Sequence, residues 1–264
     1  MIKNIISVNK KFMTISPQKL VQIISKFNST KGIEIFVDSN NNAEMDYLNG
    51  LVKEIKKEKL ILQVHCDVEI PLKKQIEFLR ILEKCAEFLN DKIVLTFHSV
   101  FNEDKTISLE QTKEYIEELI SKIDCNKFIF CIENLNNLDA GYRLKKEDLY
   151  DLITANKNIY LTYDIGHELV EYGNINYPDN ILFKNIRNVH VHDFNKKGVD
   201  HFPIRTTSDN IQNIINSINE LIKNGYEYNI VYEYNLFECE GDTLEAKVID
   251  YLKSIEEISK LYKD

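Results

Sequence analysis

The chain has little with which to grip nucleic acid or cross a membrane. Only four of its 264 residues are arginine, and 33 lysines and arginines face 42 aspartates and glutamates, a formal net charge of −9. That balance argues against a duplex-binding face, because phosphate neutralisation needs a basic surface. No apolar run approaches the roughly 20 residues that span a bilayer. The N-terminal stretch MIKNIISVNKK lacks the apolar core of a secretory leader. The five cysteines show no CxxC spacing, so reduced thiols in the cytoplasm are the expectation. Cys66, Cys131 and Cys239, near strand ends, read as small buried hydrophobes rather than nucleophiles. A glycine-rich turn is also missing after the first apolar run, where the sequence is Val8-Asn9-Lys10-Lys11. This disfavours a dinucleotide-binding fold.

What is present is a repeated alternation. Apolar strand-like runs occupy residues 2–8, 32–37, 60–65, 93–98, 128–133, 159–164, 186–192 and 228–233. Amphipathic helical stretches lie between them, at 16–27, 44–58, 71–89, 109–122, 147–155, 209–224 and 244–262. Ser16-Pro17 supplies a helix cap followed by proline at the first helical position. Ser108 with Gln111, and Asp242 with Glu245, have capping-box spacing. Strand–helix alternation of this kind predicts a parallel sheet with helical crossovers. A closed (β/α)8 TIM barrel, one domain over residues 1–264, is its most economical form. An open doubly wound sheet is the alternative.

The strands end in polar groups, and none of the six histidines falls inside a predicted helix. His65, His98, His190 and His192 close apolar runs, as do Glu133, Asp164 and Glu233. Side chains two apart share a strand face, which groups Gln63/His65, Thr96/His98, Cys131/Glu133, Thr162/Asp164 and Asn188/His190/His192. Their neighbours Leu62/Val64, Leu95/Phe97, Phe130/Ile132, Leu161/Tyr163 and Val189/Val191 form the opposite, apolar face. In a barrel the apolar set packs under the helices. The polar set converges on the axis at the C-terminal mouth, where such barrels keep their chemistry. Imidazole and carboxylate are the main non-thiolate ligands of zinc-class ions. The cluster therefore predicts a divalent metal, zinc or manganese before magnesium or cobalt. Taken singly, His65 and His98 divide evenly between ligands or substrate contacts and hydrogen-bonded core residues. His192 reads as a supporting or substrate-contacting group, and His201 as either a site residue or a solvated loop residue. Glu34 reads as a mouth residue or a structural ion pair.

The most specific segments are Glu133 ending the fifth strand, Asp164-Ile165-Gly166-His167, His190-Val191-His192-Asp193, and Glu233 ending the eighth. With these the chain resembles the xylose isomerase-like TIM barrels, which include sugar-phosphate isomerases, ketose epimerases and zinc apurinic endonucleases. The resemblance runs over nearly the whole chain. It implies that Glu133, Asp164, His190 and Glu233 hold one divalent metal, that Glu133 and Glu233 form the acid/base pair, and that His167 touches substrate. The endonuclease branch implies more: His65, His98, His167 and His201 would help hold three zinc ions. Two departures stand out. Val199 occupies the place of a second carboxylate, with Asp200 displaced by one. In HFPIRTTS, Arg205 and Thr207 replace two expected glycines. Arg205 could offer a phosphate or hydroxyl contact, since guanidinium suits bidentate oxyanion binding. Arg143 sits in a loop on the same side and reads as an ordinary surface residue.

The expected function is a divalent-metal-dependent isomerase or epimerase acting on a small sugar or sugar phosphate, by proton abstraction alpha to a carbonyl. The alternative is a zinc-dependent phosphodiesterase of the apurinic endonuclease type.

Overall fold

The computed structural model describes residues 2–38, 40–66, 70–136, 144–175, 177–195 and 198–262. Eight parallel strands close into a barrel in chain order: β1 (Lys3–Val8), β2 (Thr30–Phe36), β3 (Ile61–Cys66), β4 (Ile93–Phe97), β5 (Phe128–Glu133), β6 (Ile159–Asp164), β7 (Ile186–Val191) and β8 (Asn229–Tyr232), with β8 pairing back to β1. The helices are α1 (Pro17–Ile24), α2 (Asn42–Glu58), α3 (Leu72–Leu89), α4 (Lys105–Lys122), α5 (Tyr150–Ala155), α6 (Ile165–Tyr172), α7 (Asn180–Lys184), α8 (Ile211–Lys223) and α9 (Leu244–Ser259). All eight expected strands are present. No helix among the described residues is long and apolar enough to cross a membrane.

The strand parity decides where the core sits. Leu95, Phe97, Leu161, Tyr163, Val189 and Val191 are fully shielded and pack with apolar helix residues such as Leu79, Leu82, Ile116 and Leu119. Each such side chain contributes about 1.5–3 kcal/mol by leaving water. The other face points to the barrel axis and is polar: Glu34, Gln63, Thr96, Thr162 and Asn188 are all completely buried. Thr96 and Thr162 share a hydroxyl hydrogen bond of 3.0 Å, and the Asn188 amide donates to Thr96 at 3.3 Å.

The helix starts bring two corrections. Ser16 caps α1 as expected, its hydroxyl accepting from the Lys19 N–H. Ser108, however, lies inside α4. The helix starts a turn earlier because the Asp104 carboxylate accepts from both the Thr106 and Ile107 N–H groups, a stronger cap than a hydroxyl. Thr243, not Asp242, caps α9. Between β6 and β7 the chain forms α6 and α7, which the periodicity does not reveal. At eight and five residues both are too short to develop a helical repeat.

The last helix also fixes the end of β8. The Tyr251 hydroxyl donates to the Tyr232 carbonyl and accepts from the Tyr234 N–H at 2.7 Å, so it grips the backbone on both sides of Glu233. Tyr251→Phe strands both backbone groups in an interior site. It should lower stability by about 1–3 kcal/mol and turnover along with it. Denaturant unfolding checks the first, and an unchanged midpoint would show that the clamp is idle.

Candidate metal centre

Asp164 shows how local structure builds the site. It ends β6 and caps α6 without a linker: Oδ1 accepts from the His167 N–H at 2.8 Å. Its other oxygen, Oδ2, is buried with no hydrogen-bond partner. Asn134, directly after Glu133, locks this corner. Its side-chain amide accepts from the Asp164 N–H at 2.8 Å and donates to the Asp164 carbonyl at 3.1 Å. The Asn134 carbonyl accepts from His167 Nδ1 at 3.0 Å. Nothing in the sequence singles out Asn134 except its position beside Glu133. Glu168, in the same helix, is buried against Lys146 at 2.6 Å and stiffens α6 from behind.

Four groups then converge. One ligand atom each from Glu133, Asp164, His190 and Glu233 lies within 4.8 Å of all the others. His190 Nδ1 stands 2.8 Å from Glu133 Oε1, 3.0 Å from Glu233 Oε2 and 4.0 Å from Asp164 Oδ2. Despite these separations, Glu133 Oε1, Asp164 Oδ2 and His190 Nδ1 make no aligned hydrogen bond. Buried polar atoms that crowd together without bonding one another are what a cation's ligands look like, since an unpaired buried carboxylate is costly. Tetrahedral ligands at zinc-type distances lie about 3.4 Å apart, within the observed spread. The donor set fits a divalent metal.

Two further groups adjoin. His65, His98 and Glu133 form one, with both Nε2 atoms 3.1 Å from Glu133 Oε2. Glu133 thus turns one oxygen to each cluster. His167, His192 and His201 form the other. His201 lies in the loop after β7, which Asp193 and Phe202 fold back through a two-bond antiparallel bridge. The residue adopts a left-handed backbone (φ 59°), unusual without glycine. It is held there because its N–H meets His192 Nδ1 and its ring meets the Glu233 carbonyl, each at 3.1 Å. His201 is therefore a packed site neighbour, its ring centroid 4.4 Å from that of His192. Asp200 lies at 3.8 Å from His201 and 4.0 Å from His167, so the displaced carboxylate still reaches this group.

The charges are mutually adjusted. Burial alone would push the Glu133 carboxyl up, but His190, His65 and His98 hold it well below the usual range. Burial likewise opposes ionisation of Glu233 and Asp164, and the imidazoles beside them win: His201 and His190 for Glu233, His167 and His192 for Asp164. Burial disfavours charged His65, yet Glu133 raises it to about 9.

Gly166 has a steric reason. A Cβ there would overlap the His192 ring. Gly166→Ala should displace His192 and cost about 1–3 kcal/mol, read as a lowered thermal midpoint. Equal midpoints would mean that the ring relaxes freely.

Every histidine singled out in the sequence reaches the mouth. Glu34 reaches it too, as an ion pair with His190 rather than a cleft residue. Arg205 does not join the cluster, since its guanidinium pairs bidentately with Asp250 on α9. Arg143 lies outside the described residues. Cys66, Cys131 and Cys239 are buried. A cleft of about 610 Å³ opens above the centre, lined by His65, His98, His201, Glu233, Lys10 and Lys11 among others. It is sized for a small molecule.

A family model described as Xylose isomerase-like TIM barrel matches residues 21–255. No curated protein matches the sequence. Among solved structures, the chain is similar to D-psicose 3-epimerase from Clostridium cellulolyticum H10, at 14% identity and TM-score 0.69 over 100% of both chains. It is similar to a 3-keto-D-glucoside 4-epimerase from E. coli, at 16% identity and TM-score 0.67 over 97% of this chain and 100% of that one. It is also similar to an AP endonuclease, family 2, from Brucella melitensis, at 13% identity and TM-score 0.65 over 93% and 96%.

Proposed function

Because the chain belongs to the xylose isomerase-like TIM barrel family, we propose that it is a divalent-metal-dependent isomerase or epimerase of a small sugar or sugar phosphate. The convergence of Glu133, Asp164, His190 and Glu233 on one point carries this reading. These four side chains would hold the ion, zinc or manganese before magnesium or cobalt. When bound, the ion supplies polarisation of the substrate's carbonyl and hydroxyl oxygens. Glu233 is the carboxylate that faces the cleft, and it would remove the proton alpha to the carbonyl. Glu133 would return a proton from the other side, its Oε2 exchanging protons with His65 and His98. The buried floor of the site, with Glu133, Asp164 and His190 fully shielded, keeps these groups from bulk water. A single-domain enzyme in the cytoplasm completes the reading.

One observation favours a second reading. The two further groups, one sharing Glu133 and the other packed against Asp164 through His192 at 3.3 Å, offer places for additional ions. That arrangement suits a zinc-dependent phosphodiesterase, and His65, His98, His167 and His201 would then be ligands.

The test is solvent exchange. Metal-loaded protein should incorporate deuterium from D2O at a carbon alpha to the carbonyl across a panel of ketoses and their phosphates. Glu233→Gln should lower this by about 10²–10⁴-fold. A folded, metal-binding Glu233→Gln protein with wild-type exchange would rule out the role. More than one bound zinc per chain, with phosphodiester cleavage and no exchange, would establish the second reading instead.

A further inference from the structure

Glu34 takes no part in the chemistry above and does not line the cleft, yet its carboxylate is completely buried. It comes from β2 and reaches across the barrel to His190 on β7. Its two oxygens lie 3.2 and 3.3 Å from His190 Nε2, the ring nitrogen turned away from the four-ligand cluster. A second group competes for that nitrogen. The Asn188 amide nitrogen stands 3.1 Å from the same Nε2, and it also has Glu34 Oε2 and Thr96 within 3.3 Å.

A neutral imidazole carries one ring proton, and the two nitrogens cannot both be bare. If Nε2 accepted from Asn188, the proton would move to Nδ1 and close the face that meets Glu133, Asp164 and Glu233. An ionised carboxylate only accepts. Beside it, Nε2 keeps the proton, Asn188 turns its donor to Glu34 and Thr96, and Nδ1 presents its lone pair. We infer that Glu34 is a positioning residue that fixes the Nε2–H form of His190, and so readies Nδ1 for a divalent cation. The inference rests on the metal reading of the cluster but not on the substrate or the reaction. Carboxylates behind ligating histidines commonly tune affinity in this way.

The experiment uses the full chain loaded with zinc, its histidine ring nitrogens labelled with ¹⁵N. His190 should show a protonated Nε2 and a zinc-bound Nδ1. In Glu34→Gln the zinc affinity, measured by chelator competition, should fall about 10–100-fold with the fold intact by circular dichroism. Adding Asn188→Leu to Glu34→Gln removes the competing donor and should recover part of the affinity. A purely packing role for Glu34 predicts the reverse, a double variant worse than the single. Zinc on His190 Nε2, or wild-type affinity in Glu34→Gln, would overturn the inference. If Glu34→Gln does not fold, the wild-type nitrogen assignment alone decides it. A wild-type chain that binds no zinc overturns both the metal reading and this one. An Nε2–H zinc site without sugar exchange overturns only the functional reading.

Discussion

Glu133→Gln should abolish turnover, by about 10³-fold or more, and lower metal occupancy with it. Glu133 serves two clusters with separate oxygens: Oε1 faces His190 at 2.8 Å, and Oε2 meets His65 and His98 at 3.1 Å each. Glutamine keeps the volume and one acceptor but loses the charge. The metal-free protein should also report the loss. At pH 6 His65 and His190 are protonated beside Glu133, and removing their shared anion should cost on the order of 3 kcal/mol, as breaking buried ion pairs does. That cost should shrink as pH rises through about 9, where His65 loses its proton. Metal analysis and urea unfolding at both pH values check this. A Glu133→Gln protein with wild-type metal content and rate would remove Glu133 from the centre.

Metal-free and metal-loaded protein should respond to pH in opposite directions. His65 and His192 are each raised from 6.5 to about 9 in the folded chain, against burial, by Glu133 and Asp164 respectively. A raised value means that the folded state holds protons which the unfolded state releases first. The stability it contributes is complete below about pH 6.5 and is lost as pH rises through about 9. For His65 alone this is on the order of 3 kcal/mol. The depressed carboxyls of Glu133 and Glu233 work at the acid end, where stability is lost as pH falls below the ordinary carboxyl range. Metal-free protein should therefore be most stable near pH 5–6.5. Metal ligation needs bare imidazole nitrogens, so the ion binds more tightly as protons leave. The thermal shift on adding zinc should grow from pH 6 to pH 9. It would reach about 4 kcal/mol of added stability at a thousandfold excess over the dissociation constant. A metal-free midpoint that stays level or climbs from pH 6.5 to 9 would contradict the assigned ion pairs.

Local sequence showed the barrel and its polar mouth well, because both rest on a two-residue period. Each of β3 to β7 alternates apolar and polar side chains, so the strand ends announce which groups face the axis. His98, His192 and Glu233 fall one residue past their strands without losing that direction. Short-range capping was harder to read. Asp104 outcompeted Ser108 for the start of α4 through two backbone N–H bonds. The helix α6 stayed hidden because Asp164 serves at once as strand end, cap and cluster member.

By itself, then, the sequence determined the eightfold alternation, the inward parity, and the set of carboxylates and imidazoles at the mouth. Alternation is local and steric, and survives whatever the chain packs against. Tertiary structure alone decided how those groups pair. Glu34 faces His190 from 156 residues away. His201 reaches His192 through a left-handed turn folded back by Phe202. Arg205 is taken by Asp250 on the last helix. Such contacts depend on which strands become neighbours when the barrel closes, and no period along the chain encodes them.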